Sequence, residues 1–309
     1  MENINNIEIN SNVKFGQLII GPPGCGKTTY IQSMKNYYSN YNRKVLLINL
    51  DPANETTNKF FDIDIRDLIN LDEVEKNLSL GPNSSFLYCF NFLEKNFNWL
   101  ENKINLYKDI YYFLIDTPGQ IEIFTLSNSF KTICKNLTNE KKLNIRLCAV
   151  NLIECINLCD MPKYIFSVFS VLNCMINLEL PQINLISKCD LLKELKKNNK
   201  FVFDIEFYKN PNNSEQLNFF LDNINENPKF KNLNKVISEF ISDFGLVSFS
   251  LLDISNVNHL NRAAILADKA NGLLYYTELA EKEEQFDGRM LIASDDLIDE
   301  EKCDEEYQI

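Results

Sequence analysis

Histidine is almost missing from this chain of 309 residues: His259 is the only one. Chemistry that needs a histidine base, or a metal held by several imidazoles, therefore has little to work with. The nine cysteines contain no Cys-x-x-Cys pair and their number is odd, which disfavours zinc and disulfide frameworks. Several stand inside apolar runs, as buried reduced thiols do, and this fits a cytosolic or nuclear compartment. No apolar run reaches the ~18 residues of a membrane span. Residues 1–14 are polar, without the apolar segment of a signal peptide, so a soluble intracellular protein is expected. No internal repeat is present. Positive charge is also in short supply, with 31 Lys and Arg against 43 Asp and Glu. Twelve acidic and three basic residues fall in 280–309, which leaves a body that is only mildly acidic. Such a body argues against nonspecific nucleic-acid binding, which relies on neutralising phosphates.

What remains is ordinary globular material, 45% apolar and 24% charged. The length suits one large domain with insertions, or two domains. Asn is in excess at 43 residues, so a lone Asn carries little information.

The organising stretch is Gln17-Leu18-Ile19-Ile20-Gly21-Pro22-Pro23-Gly24-Cys25-Gly26-Lys27-Thr28-Thr29. An apolar strand runs into Gly-x-x-x-x-Gly-Lys-Thr and then into a helical segment, the order that a phosphate-binding P-loop requires. Gly21, Gly24 and Gly26 let backbone N–H groups turn toward phosphate oxygens. The helix starting near Lys27 aims its partially positive end at the same anion. Lys27 would reach the β- and γ-phosphates, and the Thr28 hydroxyl would ligate Mg²⁺.

A second signal lies downstream. The apolar run 111–115 ends in Asp116-Thr117-Pro118-Gly119-Gln120. Asp116 can hold Mg²⁺ through water, and Gly119 can offer an unobstructed N–H to the γ-phosphate. A third strand, 182–187, runs into Lys188-Cys189-Asp190. A carboxylate there can accept from both N1–H and the exocyclic amine of guanine, with the Lys stem packed on the ring. A plain strand-ending turn with solvated charges would read the same in isolation.

Between these motifs the spacing predicts a helix over 27–38, a buried strand over 43–49 and a helix over 62–78. A turn at 81–85 and a helix over 87–106 follow. Farther on come a strand at 147–152, helices over 162–178 and 260–280, and a last strand at 249–253. Pro52 ends the second strand, so Asp51 and Glu55 should project from the sheet edge where ligands bind. The domain spans 15–280, with insertions near 60–110 and 194–234. Residues 1–14 form a flexible lead-in and 281–309 an acidic tail.

Together these pieces resemble the GPN-loop GTPase family. The resemblance rests on residues 15–17, on Gly21 to Tyr30, and on Asn49-Leu50-Asp51-Pro52-Ala53-Asn54-Glu55. Leu80-Gly81-Pro82-Asn83, Asp116 to Glu122, residues 246–249 and Asp268-Lys269-Ala270-Asn271-Gly272 add to it. It implies a three-layer P-loop NTPase fold of class α/β, with a mostly parallel sheet and helical insertions. It also implies a Mg²⁺-dependent GTPase switch that turns GTP into GDP. Pro22, Pro23, Cys25 and Thr29 would complete the nucleotide loop, with Cys25 acting only through its backbone. Asp51 and Asp116 would assist the metal shell, Gln120 and Glu122 would position the attacking water, and Glu55 is a further candidate for that network. From residue chemistry alone Gly81-Pro82-Asn83 is a plain turn. In the family it is the loop that a dimer partner projects into the neighbouring site, where Asn83 or backbone amides would face the phosphates. The implied partners are a second copy or a paralogue, together with RNA polymerase subunits or their assembly factors. No nucleic acid and no membrane is implied, and the setting is the cytoplasm with shuttling to the nucleus. The chain departs from the family at Ser84 and Ser85, where glycines are usual. Ser187 stands for an Asn or Thr, and Leu251 for a proline. A P-loop ATPase or nucleotide kinase, and a nucleotide-binding scaffold with little turnover, are the competing readings.

Overall fold

The computed structural model describes residues 13–56, 60–120, 128–197, 204–211, 231–243 and 247–276. Seven strands form one sheet in the order β3-β2-β4-β1-β5-β6-β7, and every neighbouring pair is parallel. They are β1 (Lys14–Ile20), β2 (Val45–Asn49), β3 (Ile63–Asp64), β4 (Tyr112–Asp116), β5 (Ile145–Glu154), β6 (Gln182–Ser187) and β7 (Ser250–Leu251). A parallel strand covered by helices on both faces should read as an unbroken apolar run, and β4 is buried at all five positions.

The period of two along β1 divides the core. Leu18 and Ile20 face one layer of helices, made by α3 (Pro82–Lys95), α4 (Phe97–Asn105) and α5 (Asn128–Thr138). Phe15 and Ile19 face the other, made by α1 (Lys27–Asn40) and α10 (Val257–Ala270). Beyond β5, a third cluster joins α6 (Met161–Leu178) to α8 (Ile205–Lys209). There Tyr208 is fully buried and meets Tyr164 edge-on at 5.1 Å. This part of the expected 194–234 insertion therefore belongs to the core. Short α7 (Leu192–Lys197) precedes it and α9 (Lys231–Asp243) follows.

Three local expectations are corrected. The segment read as one helix over 62–78 opens as β3, because Ile63 pairs with Ile48 of β2. A 3₁₀ turn (Ile65–Asp67) follows, and the α-helix α2 (Leu71–Leu78) starts only where Asn70 caps the N–H groups of Asp72 and Glu73. The helix read over 87–106 is two helices, and the Asn96 side chain donates to Phe92 O at their junction. The turn at 81–85 is a helix start: Gly81 is the N-cap of α3, Pro82 its first residue and Asn83 its second. Ser85 donates to Gly81 O from both its N–H (3.0 Å) and its hydroxyl (3.1 Å), so this serine stiffens the helix start. Among the described residues no helix is long and apolar enough to cross a membrane.

Candidate functional site

β1, β4, β5 and β6 all deliver their C-terminal ends to one edge of the sheet, where ligands of open α/β folds bind. The loop after β1 needs its glycines. Gly21, Gly24 and Gly26 have φ of 146°, 82° and 94°, a region costly for residues with a Cβ. At Gly21 a Cβ would also lie 2.5 Å from Leu152 O and 2.8 Å from Cys25 Sγ. Pro22 and Pro23 are exposed on the loop's outer side, and Thr29 is exposed in the first turn of α1. Cys25 is fully buried. Burial pushes its thiol up to about 11, so it is inert at neutral pH and matters here through its backbone.

Lys27 opens α1 and folds back over the loop, donating to Gly21 O at 3.0 Å and Pro22 O at 3.2 Å. Its ammonium thus lies at the mouth of the loop it would share with a phosphate. The next residue, Thr28, donates from Oγ1 to Asp116 Oδ2 at 3.0 Å, joining α1 to the end of β4. Asn54 Nδ2 donates to the same oxygen at 3.0 Å, and Thr117 N–H binds Oδ1. Burial raises the Asp116 carboxyl to about 6, although Lys27 and Thr28 hold it down. Asp51 follows β2 close by; burial raises it too, against the pull of the Ala53 N–H and Lys27. A hydroxyl and a carboxylate oxygen on one spot, with a second carboxylate near, are the hard donors that Mg²⁺ takes. Mg²⁺ commonly completes its shell with water and substrate phosphate, and the described residues hold no cluster of three or more His, Cys, Asp or Glu. The donor set fits the ion.

Gly119 packs on the P-loop so closely that a Cβ would stand 2.7 Å from Pro23 N. Beside it, Gln120 Oε1 is buried with no protein hydrogen-bond partner among the described residues. Gly119 and Gln120 line a cavity of about 470 Å³ with Gly21, Pro22, Pro23 and Asn83, closed on the far side by Ser167, Ser170 and Cys174 of α6. Asn83 therefore lies on the same cavity as its own chain's P-loop. It is exposed, as are Gly81, Pro82 and Ser84. Glu122 lies outside the described residues.

At the other end of the site, Lys188 adopts a left-handed conformation (φ 59°) and its ammonium pairs with Glu154 at 3.1 Å. Asp190 is exposed. Ser187, standing where related sites have Asn or Thr, places its hydroxyl 2.7 Å from Cys25 O and 3.0 Å from Ile153 O. The small side chain thus still ties the third strand end to the P-loop backbone.

The structure brings Gly21 to Thr29, Asp51, Asp116, Gly119, Gln120, Lys188 and Asp190 to one edge. Sequence reasoning assigned no role to Asn54 or Glu154. Asn54 was hidden by the excess of Asn. A wider brace also escaped it. Arg66 pairs with Asp64 at 2.6 Å and donates to Asn54 O and Thr56 O, while Asn49 donates to Asp64 and accepts from Asp51 N–H. This brace shapes the loop that carries Asp51 and Asn54.

The profile of a family described as "Conserved hypothetical ATP binding protein" matches residues 19–272. The chain is 39% identical to GPN-loop GTPase 2 of Danio rerio, over 85% of this chain and 82% of that one. It is 39% identical to GPN-loop GTPase QQT1 of Arabidopsis thaliana, over 84% and 86%. With GPN-loop GTPase 3 of Kluyveromyces lactis it shares 37%, over 92% and 99%. Among solved structures, a GTPase from Pyrococcus abyssi in its apo form superposes with a TM-score of 0.64 at 23% identity, covering 83% of this chain and 97% of that one. That likeness speaks for the fold. Identity of this depth over most of both chains, on a sheet edge that carries the P-loop and its acidic partner, has one conclusion: the chain belongs to the GPN-loop GTPase family.

Proposed function

We propose that this protein binds GTP with Mg²⁺, hydrolyses the β–γ phosphoanhydride, and works as a dimeric switch. The observation that carries the reading is the meeting of Thr28 and Asp116 at 3.0 Å beneath the P-loop. Lys27 exchanges Gly21 O and Pro22 O for β- and γ-phosphate oxygens, a strong charge-assisted contact in a buried place. Loop N–H groups and the start of α1 take the remaining phosphate charge. Thr28 and Asp116, with Asp51 close by, would hold Mg²⁺, which would supply positive charge against the phosphate oxygens. Gly119 N–H faces the γ-phosphate. Gln120 orients the attacking water through its Oε1, which has no protein partner among the described residues, assisted by Glu122. Catalysis is then positioning and electrostatics, with no covalent intermediate.

Lys188 and Asp190 select guanine over adenine, which lacks the two donors that Asp190 accepts. The family profile's description, which speaks of ATP, favours the competing adenine reading. Displacement of a fluorescent GDP by unlabelled GTP and ATP separates them, and stronger displacement by ATP overturns the guanine assignment. GTP turnover should drop sharply in both Lys27→Ala and Gln120→Ala; parental turnover in both variants refutes the site.

The Gly81-Pro82-Asn83 helix start is exposed and free to meet a second chain, and in the dimer each chain presents this tripeptide to the other's phosphates. A loop without charge contributes dipoles and positioning. The partner is a second copy or a paralogue, and the service is assembly or nuclear import of RNA polymerase complexes from the cytoplasm. Light scattering with GDP, repeated with a paralogue added, tests the pairing. A monomer under every condition refutes it.

A further inference from the structure

The single histidine has no part in the chemistry above, yet it is fully buried. It is the third residue of α10, whose N-cap is Asn256. Its Nδ1 accepts the Asp253 N–H at 2.9 Å, so that nitrogen carries a lone pair. One turn later, Arg262 Nη2 donates to Leu251 O at 2.7 Å, also buried. Two side chains of one helix therefore hold the backbone on both sides of Leu252.

Leu252 links this clamp to the base end of the site. Its N–H donates to Ile186 O at 2.8 Å, and its carbonyl receives the Cys189 N–H at 3.3 Å. Cys189 lies between Lys188 and Asp190, in a turn that is already held left-handed at Lys188. Cys189 is the residue before Asp190, so Leu252 O holds the backbone one peptide away from it.

We propose that His259 is a positioning residue for base recognition: by holding Asp253 N–H it keeps Leu252 O under Cys189 and so sets where Asp190 stands. This inference rests on the reading of Lys188 and Asp190 as base contacts. A histidine that merely fills the core predicts a change in stability alone. A positioning histidine predicts altered base selection, because the phosphate machinery hangs on different bonds.

Inosine triphosphate is the discriminating probe, since it keeps N1–H and lacks the exocyclic amine. Displacement of a fluorescent GDP by GTP, ITP and ATP is measured on the full chain with Mg²⁺. The parent prefers GTP. In His259→Leu the preference for GTP over ITP and ATP falls about tenfold, the size of one lost hydrogen bond. In turnover, KM for GTP rises while kcat stays within about twofold. His259→Asn, whose amide oxygen stands near the place of Nδ1, keeps the preference; His259→Gln, whose oxygen reaches past it, loses it. This pair decides the matter even if the leucine variant does not fold. Equal preference in the Asn and Gln variants, or parental preference in a folded His259→Leu, overturns the role of His259 and leaves the guanine assignment standing. A parent that does not prefer GTP over ATP overturns the base assignment, and this inference with it.

Discussion

The two edges of the sheet treat their polar groups in opposite ways. At the edge opposite the P-loop, Arg43 pairs with Asp268 at 2.7 Å, and its guanidinium lies 4.8 Å from the ring centres of both Tyr38 and Tyr112. Tyr112 OH donates to Asp268, Gln17 donates to Tyr38 and Tyr112, and Tyr30 donates to Gln17. Burial is the largest influence on both groups: it pushes the Asp268 carboxyl above its usual range against the pull of Arg43, while Asp268 and the two tyrosines hold the Arg43 guanidinium above its own. Charge is closed on itself there. At the P-loop edge, Lys27 leans on two carbonyls, Asp116 is raised to about 6, and Gln120 Oε1 has no protein partner among the described residues. Groups satisfied by each other hold a fold together, while groups satisfied by makeshift contacts are ready to exchange them for a ligand.

The comparison breaks most visibly at the closed edge. Arg43→Ala should cost about 3–5 kcal/mol of stability by leaving Asp268 buried and unpaired. Turnover per folded molecule should not change. The Arg43→Met/Asp268→Leu double variant should regain most of the loss, as read from denaturant melts beside GTPase assays. A large fall in kcat in folded Arg43→Ala would mean that the two edges are coupled.

At the open edge the signs reverse. Gln120→Ala should lower kcat about 100-fold with little change in melting temperature, and Gly119→Ala should weaken GTP binding because its Cβ forces the P-loop backbone aside at Pro23. Isothermal titration separates these two, since the first should leave GTP affinity near the parent's.

Asp116 gives a pH test. Its folded pKa of about 6 lies above the ordinary value of 3.8, so the native state holds more proton than the unfolded chain between those values. This group makes the nucleotide-free protein less stable as pH rises through 6, and more stable as it falls toward 4. If Mg²⁺ with GTP binds through this carboxylate, as proposed, its stabilising effect should be lost over the same fall. Nucleotide-free Asp116→Asn should therefore melt above the parent at pH 8, with the gap closing by pH 5. A gap that widens toward acid would contradict the assignment. The smallest effect is expected at Asn83→Ala, about tenfold in kcat for one lost hydrogen bond, and, if the proposed dimer is right, only at protein concentrations that allow it.

Local chemistry made the first half of the site readable. Gly21 to Thr29 and Asp116 to Gln120 each declare themselves within a strand and the turn after it, because the phosphate and metal contacts are made by adjacent residues. The helix expected over 62–78 failed for the converse reason. Ile65, Leu68, Leu71 and Val74 do show helical spacing, yet Ile63 and Asp64 pair with β2, a partner about 15 residues back that no local period reveals. Gly81-Pro82 is ambiguous on physical grounds, since a permissive residue before a fixed φ suits a turn and a helix start equally.

The α/β class, the phosphate loop, the acid at the end of β4 and the Lys188–Asp190 turn are legible in the chain because each is written in contiguous residues. Folding alone brings Asn54 to Asp116, Ser187 to the P-loop carbonyl and His259 to Asp253. Asn54 and Ser187 meet partners 62 and 162 residues away, where hydrogen bonds depend on how strands stack side by side. His259 meets its partner only six residues away, across a helix start that the sequence does not orient.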